Sequence, residues 1–166
     1  MALGKVINDS NRIWLSINNG KVERNDNGVK TQYSYVEGRL TSVYTKERNY
    51  NGEKVVKWFI ELTDEEGSLY AISLPYSSGT YKSIILSLAS DEDLNKDSII
   101  RIEPYIGKNG YTKIVVWSDG VKLDWATHEL PPVEDVVING RTYKDDSKRM
   151  DMVVGYTNQV LQRIQA

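Results

Sequence analysis

The chain has 166 residues, a length that suits one domain of ordinary size. Hydrophobic residues make up 40% and charged residues 27%, which is typical of a folded globular protein and excludes a disordered or fibrous one. The net charge of −2 gives no overall attraction to a polyanion, so a site for nucleic acid would have to be local.

Several classes of site chemistry are excluded by residue types that are scarce. There is no cysteine, which excludes disulfides, a cysteine zinc site and a cysteine nucleophile. The single histidine, His128, excludes a histidine-rich metal site and is expected at the surface beside Glu129. The sequence contains neither a membrane-length apolar run nor the apolar core of a secretory signal. We expect a soluble cytoplasmic protein that contacts no membrane and has no metal or other cofactor.

The N-terminal part is predicted to contain a short hairpin. Residues 12–17 and 21–24 have strand character on either side of the turn Asn18-Asn19-Gly20. We assign residues 1–32 to an N-terminal extension. Charge is unevenly distributed along the chain: residues 1–60 hold 10 Lys and Arg against 6 Asp and Glu, whereas the following part, to residue 135, is acidic.

Residues 33–125 are predicted to form a compact β-rich domain. Three segments in its first half have the alternation and the β-branched and aromatic content of strands: residues 33–44, 54–62 and 68–74. Gly38 inside the first strand predicts a bulge or bend. A polar loop is predicted over residues 45–53, with a turn at Asn51-Gly52.

The second half of this domain begins with a helix and returns to strands. Four apolar residues recur at the i, i+3, i+4, i+7 spacing of one helix face: Tyr81, Ile84, Ile85 and Leu88. Ser77, Ser78 and Thr80 are candidate N-cap residues. Strand character returns over residues 98–103 and 111–117. The predicted order is therefore β-β-β-α-β-β.

Residues 126–166 are predicted to be a linker followed by a C-terminal helix. Pro131-Pro132 and Asn139-Gly140 indicate an extended, loop-like join. Residues 146–165 carry spaced apolar side chains and are predicted to be helical, although Gly155 weakens that pattern. We expect this helix to pack on the barrel or to mediate a homo-oligomer.

The element order, the glycine in a long first strand and the short capped helix resemble the OB-fold. The chain resembles single-stranded DNA-binding proteins of that fold, and its flanks resemble the phage-encoded type. It lacks the acidic C-terminal tail of bacterial members, since it ends in residues 160–166. The resemblance implies a mainly β, five-stranded OB-fold Greek-key barrel with an N-terminal hairpin and a C-terminal helix. It also implies a role in DNA replication or recombination, in the host cytoplasm if the protein is phage-encoded.

An OB-fold binds its ligand along strands two and three, between the loops that join strands one and two and strands four and five. Binding of single strands without sequence preference needs cations for the phosphates and aromatic faces for the bases. The residues predicted to supply them are Arg39, Lys46, Arg48, Tyr50, Lys54, Lys57, Phe59, Lys108, Tyr111, Lys113 and Trp117.

The prediction depends on strand register. Alternation along the second strand directs Trp58 and Ile60 inward and Phe59 outward, and on strand five it directs Trp117 outward. A register shifted by one residue would instead bury Phe59 and Trp117. The remaining tryptophans, Trp14, Trp58 and Trp125, are expected in the core.

No catalytic pattern is found in the sequence. It contains no phosphate-binding loop, hydrolase elbow or metalloprotease motif, and its carboxylate clusters at residues 64–66 and 91–93 are expected to be solvated. We therefore predict a non-catalytic protein that coats single-stranded DNA with little sequence preference, with RNA as a second possible ligand. The alternatives are a viral or assembly β-barrel protein that makes protein–protein contacts and a carbohydrate-binding module. Strong salt dependence would favour nucleic acid.

Overall fold

The computed structural model describes residues 12–166, so residues 1–11 of the predicted N-terminal extension lie outside the described residues. The elements follow one another as β1 (Arg12–Asn18), β2 (Lys21–Asp26), β3 (Val29–Tyr33), β4 (Val36–Tyr50), β5 (Glu53–Thr63), β6 (Leu69–Pro75), α1 (Gly79–Ser90), β7 (Ile99–Ile106), β8 (Thr112–Ser118), β9 (Val121–Lys122), β10 (Glu134–Ile138), β11 (Arg141–Asp145) and α2 (Ser147–Gln165). Within the described residues, no helix is long and apolar enough to cross a membrane.

Nine strands form one mixed sheet in the order β3-β2-β1-β6-β5-β4-β7-β8-β9, and β10 and β11 form a separate hairpin. Among the described strands, the pair β1–β6 is parallel, from Arg12 opposite Leu69 to Leu15 opposite Ile72. The other pairs are antiparallel. The sheet ends at β3 on one side and at β9 on the other, and it does not close.

The prediction of a five-stranded OB-fold barrel is therefore wrong. The predicted order of three strands, a helix and two strands is present as β4, β5, β6, α1, β7 and β8. Closing these five strands would require β6 to meet β8, because those two stand at the ends of the series β6-β5-β4-β7-β8. Instead, the edge of β6 that closure would use pairs with β1, and the corresponding edge of β8 pairs with β9. The N-terminal hairpin thus occupies the backbone groups that closure would need.

Five hairpins of residues 12–166 turn on two-residue loops in which both residues have positive φ, the geometry that Asn-Gly and Asp-Gly pairs favour. These pairs are Asn19-Gly20, Asn27-Gly28, Asn51-Gly52, Asp119-Gly120 and Asn139-Gly140. The predicted N-terminal hairpin is confirmed as β1–β2. The last pair joins β10 to β11, a hairpin within a segment that we predicted to be a loop-like linker.

The β4–β5 hairpin is longer than predicted. Residues 45–53 were predicted to form a loop, but the β4–β5 ladder continues through them to the pair Tyr50–Glu53. Residues 45–57 form a two-stranded projection that we call the arm. Near the other end of β4 the register shifts between Leu40 and Ser42, close to the bend predicted at Gly38. A Cβ atom at Gly38 would lie 2.7 Å from the carbonyl oxygen of Thr63, so the two backbones approach too closely for any side chain.

The core lies between one face of the sheet and the two helices. The predicted helix face is confirmed, since Tyr81, Ile84, Ile85 and Leu88 of α1 are fully buried. Ser78 caps α1 by accepting a 3.3 Å hydrogen bond from the amide of Tyr81. Below the helix, the ring of Trp58 stacks on that of Tyr81 with centroids 4.3 Å apart.

Helix α2 contacts α1 near both ends of α1. The hydroxyl groups of Tyr81 and Thr157 are hydrogen-bonded at 2.8 Å inside the core. The Arg163 guanidinium donates to the carbonyl oxygens of Ala89 and Asp91, which lie at the C-terminal end of α1. The apolar face of α2 (Met150, Val153, Val160 and Ile164) is thereby buried within its own chain.

Candidate nucleic-acid interface

A groove of about 410 Å³ lies where the arm leaves the sheet, on the face that points away from α1 and α2. It is lined by Trp14 from β1, Lys46, Arg48 and Tyr50 from β4, Val55, Lys57 and Phe59 from β5, and Ser73 from β6. We call it the arm groove. Five of the residues predicted from the sequence meet here: Lys46, Arg48, Tyr50, Lys57 and Phe59.

Cross-strand pairing concentrates positive charge in the arm groove. Lys46 lies directly opposite Lys57, and Arg48 follows two residues later on the same face of β4. Like charges placed opposite each other on an antiparallel pair are destabilising. None of these three cations forms an ion pair with any residue of 12–166. The arrangement opposes the stability of the arm unless an anion binds between them.

Aromatic rings lie beside these cations. The Phe59 ring stacks on Tyr44 at 5.4 Å and meets the edge of Trp14 at 5.7 Å. The ammonium of Lys46 lies 5.6 Å from the Tyr44 ring centroid, within cation–π range. Phe59 points away from the core as predicted, but these neighbours leave it only 8% exposed, so it forms the floor of the groove. The open aromatic faces are those of Trp14, 42% exposed, and Tyr50, 67% exposed.

A buried ion pair fixes Trp14 in this position. The Arg12 guanidinium donates a 2.5 Å hydrogen bond to the carboxylate of Glu61, a buried residue of β5. The Tyr44 hydroxyl donates to the same carboxylate oxygen at 2.9 Å. Together they tie β1 to the outer face of β4 and β5. Because Arg12 compensates its charge, Glu61 does not offset the cations of the groove.

Two of the predicted cations on β4 and β5 lie outside the arm groove. Lys54 points to the opposite face of the arm, where it pairs with Glu47 at 3.2 Å. Arg39 lines a different depression together with the carboxylates of Glu37, Asp64, Glu65 and Glu66. The pKa of Asp64 is lowered by hydrogen bonds from the Tyr70 hydroxyl and from the amide of Ser68, so this surface stays negative. An acidic depression of this kind is unsuited to phosphate.

Trp117 lies on the predicted side of its strand but away from the arm groove. Its neighbour Val116 is fully buried and Trp117 is half-buried on the other face, so the predicted register of β8 is confirmed. Trp117 lines a small depression with Glu37 and Arg101. Its indole Nε1 is buried and has no hydrogen-bond partner in the described part of the chain. Trp117 therefore does not belong to the arm groove.

The other predicted residues surround the β7–β8 turn. Lys108 is exposed in the turn itself, while Tyr111 and Lys113 line a separate depression beside α1. No residue that lines this depression also lines the arm groove. The predicted residues are thus divided among several surfaces, of which the arm groove holds five and the β7–β8 depression holds Tyr111 and Lys113.

The arm-groove residue that sequence reasoning missed is Trp14. We expected it in the core together with Trp58 and Trp125. This is right for Trp58, which is buried, and wrong for Trp14 and for Trp125, which is half-buried outside the core cluster. A signal was present: Trp14 alternates with Ile13 and Leu15, which face the core. Period-two alternation would have directed it to the opposite face.

Across residues 12–166, no three His, Asp or Glu side chains are grouped so that they could hold a metal ion. Comparison with protein-family models, with curated proteins and with solved structures finds no match for this chain. The functional argument therefore depends on the chemistry of its own surfaces.

Proposed function

We propose that this chain is a non-catalytic protein that binds single-stranded DNA through the arm groove, with little sequence preference, during replication or recombination. One observation carries the proposal. The opposed pair Lys46–Lys57, with Arg48 beside it, lacks a carboxylate partner in the described residues and lies next to the open rings of Trp14 and Tyr50.

The cations suit the phosphates of such a ligand. Phosphate between Lys46 and Lys57 would relieve the repulsion across the ladder, so the ligand would stabilise the arm as it binds. Each neutralised phosphate also releases counterions, which makes affinity fall steeply as salt rises. This contribution is independent of base identity.

The aromatic rings suit unpaired bases. Stacking of a base on an aromatic side chain is worth about 1–3 kcal/mol and is available to every base. Trp14 and Tyr50 present their rings to solvent beside the cations. In a duplex the base faces are already stacked on each other, so this surface favours a single strand over a double one.

The carbohydrate alternative uses only half of this surface. Sugar rings would stack on Trp14 and Tyr50, but a neutral sugar gives no reason for Lys46, Arg48 and Lys57 to converge there. Binding of a neutral sugar would also be nearly independent of salt, which separates the two functions by experiment.

The proposal is tested by fluorescence anisotropy with labelled dT of about 30 nucleotides over a range of salt concentrations. For the variant Lys46→Gln/Arg48→Gln/Lys57→Gln, we expect the slope of log affinity against log salt to decrease in magnitude by about 2, since three phosphate contacts are lost. Trp14→Ala is expected to weaken binding by about 5- to 150-fold at constant salt slope.

The matched control removes the same charge elsewhere. Lys30, Lys96 and Lys122 are exposed and lie outside the groove, so Lys30→Gln/Lys96→Gln/Lys122→Gln should keep the salt slope of the wild type. Equal losses in the two triple variants would contradict a local site. Failure of the wild type to bind dT at low salt would overturn the proposed function.

A further inference from the structure

A second open depression, of about 540 Å³, lies beside the β7–β8 turn. Three aromatic residues contribute to its wall: Tyr105, Tyr111 and Trp125. Two hydroxyl groups of the first turns of α1, those of Thr80 and Ser83, line it on the helix side. No carboxylate belongs to this lining. The depression therefore combines exposed rings and polar donors without negative charge.

The rings are available to a ligand. Tyr111 is 73% exposed and Tyr105 is 44% exposed. Neither ring stacks on another aromatic side chain among residues 12–166. Trp125 is half-buried and stacks on one side against His128 at 5.3 Å. Exposed aromatic rings gain free energy when another flat ring stacks on them and removes their apolar surface from water.

A cation also lines this depression, that of Lys113. The stem of Lys113 lies across Gly107, where an added Cβ atom would be 2.8 Å from the Cε atom of the lysine. The stem of Lys113 therefore packs against the turn and carries its ammonium to this depression. Lys108, exposed in the same turn, adds a second positive charge nearby.

The two basic and aromatic surfaces share no lining residue: the arm groove opens on the face of the sheet away from the helices, whereas the β7–β8 depression borders α1. β7 pairs with β4 only between Val36–Ile102 and Arg39–Ile99. Because the two strands are antiparallel, β7 continues from Ile102 toward its turn while β4 continues from Arg39 in the other direction, toward the arm. A short oligonucleotide on one surface would leave the other free.

We infer that the β7–β8 depression is a second site for single-stranded nucleic acid, so that one chain holds two separate segments of strand at once. The inference rests on the proposed function, because it assigns the same ligand chemistry to a second surface. Lys113 and Lys108 contact phosphate, and Tyr111 and Tyr105 stack on bases. A chain with two such sites brings together segments that are distant along one strand, or belong to two strands.

The test uses dT of about 8 nucleotides, in an equal mixture of donor-labelled and acceptor-labelled molecules, with the full chain at low salt. The wild type should bind two oligonucleotides per chain and give energy transfer between them. The variant Tyr111→Ala/Lys113→Gln should bind one and lose the energy transfer. Lys46→Gln/Lys57→Gln should also bind one, through the remaining site.

The matched control is Tyr143→Ala/Lys144→Gln, which makes the same two changes at exposed residues of β11. It should retain two bound oligonucleotides and the energy transfer. A stoichiometry of one for the wild type would overturn the second site and leave the proposed function standing. Energy transfer that persists in Tyr111→Ala/Lys113→Gln would also overturn it, since pairing of one-site chains would then explain the signal. Absence of any dT binding by the wild type would overturn both proposals.

Discussion

The β4–β5 hairpin has two halves with one continuous backbone ladder. In its root, residues 36–44 and 58–63, side chains such as Leu40, Trp58 and Ile60 are buried against the helices. In the arm, residues 45–57, most side chains on both faces are exposed. Packing against the helices restricts which side chains the root can carry. The exposed arm has no such restriction and carries charges that repel each other. This freedom is what the proposed binding of a ligand by the arm would require.

The arm nevertheless depends on the root. A two-stranded ribbon without a core is marginally stable by itself in water. The arm is held by its ladder, by the Asn51-Gly52 turn and by continuity with the packed strands below. Substitutions in the root should therefore change stability, and substitutions in the arm should mainly change binding.

The largest expected effect follows from a cavity in the root. Ile60 is fully buried, so Ile60→Ala should lower the free energy of unfolding by about 2–5 kcal/mol. Urea denaturation followed by circular dichroism measures this change. The control, Val55→Ala in the arm, should stay within about 0.5 kcal/mol of the wild type, because Val55 is exposed. Equal losses would show that the arm is packed as tightly as the root.

The next effect concerns the backbone of the root. Gly38→Ala places a Cβ atom against the carbonyl oxygen of Thr63. We expect the free energy of unfolding, measured by thermal denaturation, to fall by about 1–3 kcal/mol. Gly155→Ala is the matched control, since Gly155 is exposed in α2 and nothing lies within 4 Å of an added Cβ. That control should gain about 0.5–1 kcal/mol, because alanine favours the helix. A gain for Gly38→Ala would refute the close approach.

The smallest expected change in stability comes from reversing one charge in the arm groove. This substitution should raise the stability of the arm and lower its affinity for dT. Lys57→Glu sets a carboxylate opposite Lys46 and should stabilise the arm by about 0.2–1 kcal/mol while it weakens dT binding. Lys54→Glu makes the same charge change on the other face, where it removes the pair with Glu47. It should not stabilise the arm, and it should reduce dT affinity less. Similar results for the two variants would mean that net charge alone controls binding.

Local structure was predictable because it is encoded by residues close in sequence. The spacing of Tyr81, Ile84, Ile85 and Leu88 identified a helix face. Alternation placed Trp58 and Phe59 on opposite faces correctly, but it did not reveal that Tyr44 and Trp14 cover the Phe59 ring. Alternation also predicted the side of β8 on which Trp117 lies. In each of these cases one periodic pattern decides the outcome.

The pairing of distant strands was not predictable in the same way. Alternation reports which face of a strand is buried, but it does not report which neighbour takes its edge. We therefore did not predict that β1 pairs with the edge of β6, nor that the sheet stays open as a result. The β10–β11 hairpin was missed for another reason: its Asn139-Gly140 signal was present, but the flanking strands are largely exposed and lack a clear apolar pattern.

The candidate site was predictable in its chemistry and not in its grouping. Residue type pointed to Lys46 and Arg48, and strand parity pointed to Lys57; the structure brings these three together. Lys54 was misplaced because a predicted loop assigns no faces, whereas the observed ladder does. Trp14 was missed because it reaches the groove through the pairing of β1 with β6, which was not predicted.

The parallel pairing of β1 with β6 has a consequence for the order of events as the chain is made. β1 emerges early in synthesis, yet its partner residues, Leu69–Ile72, follow only after the whole β4–β5 hairpin. The antiparallel strands β4, β5 and β6 need only local contacts and can form first, while a contact between distant segments is slower. Until β1 docks, the edge of β6 stays open to strands of other nascent chains. The N-terminal hairpin should therefore limit aggregation only late in folding, when β1 covers the edge of β6.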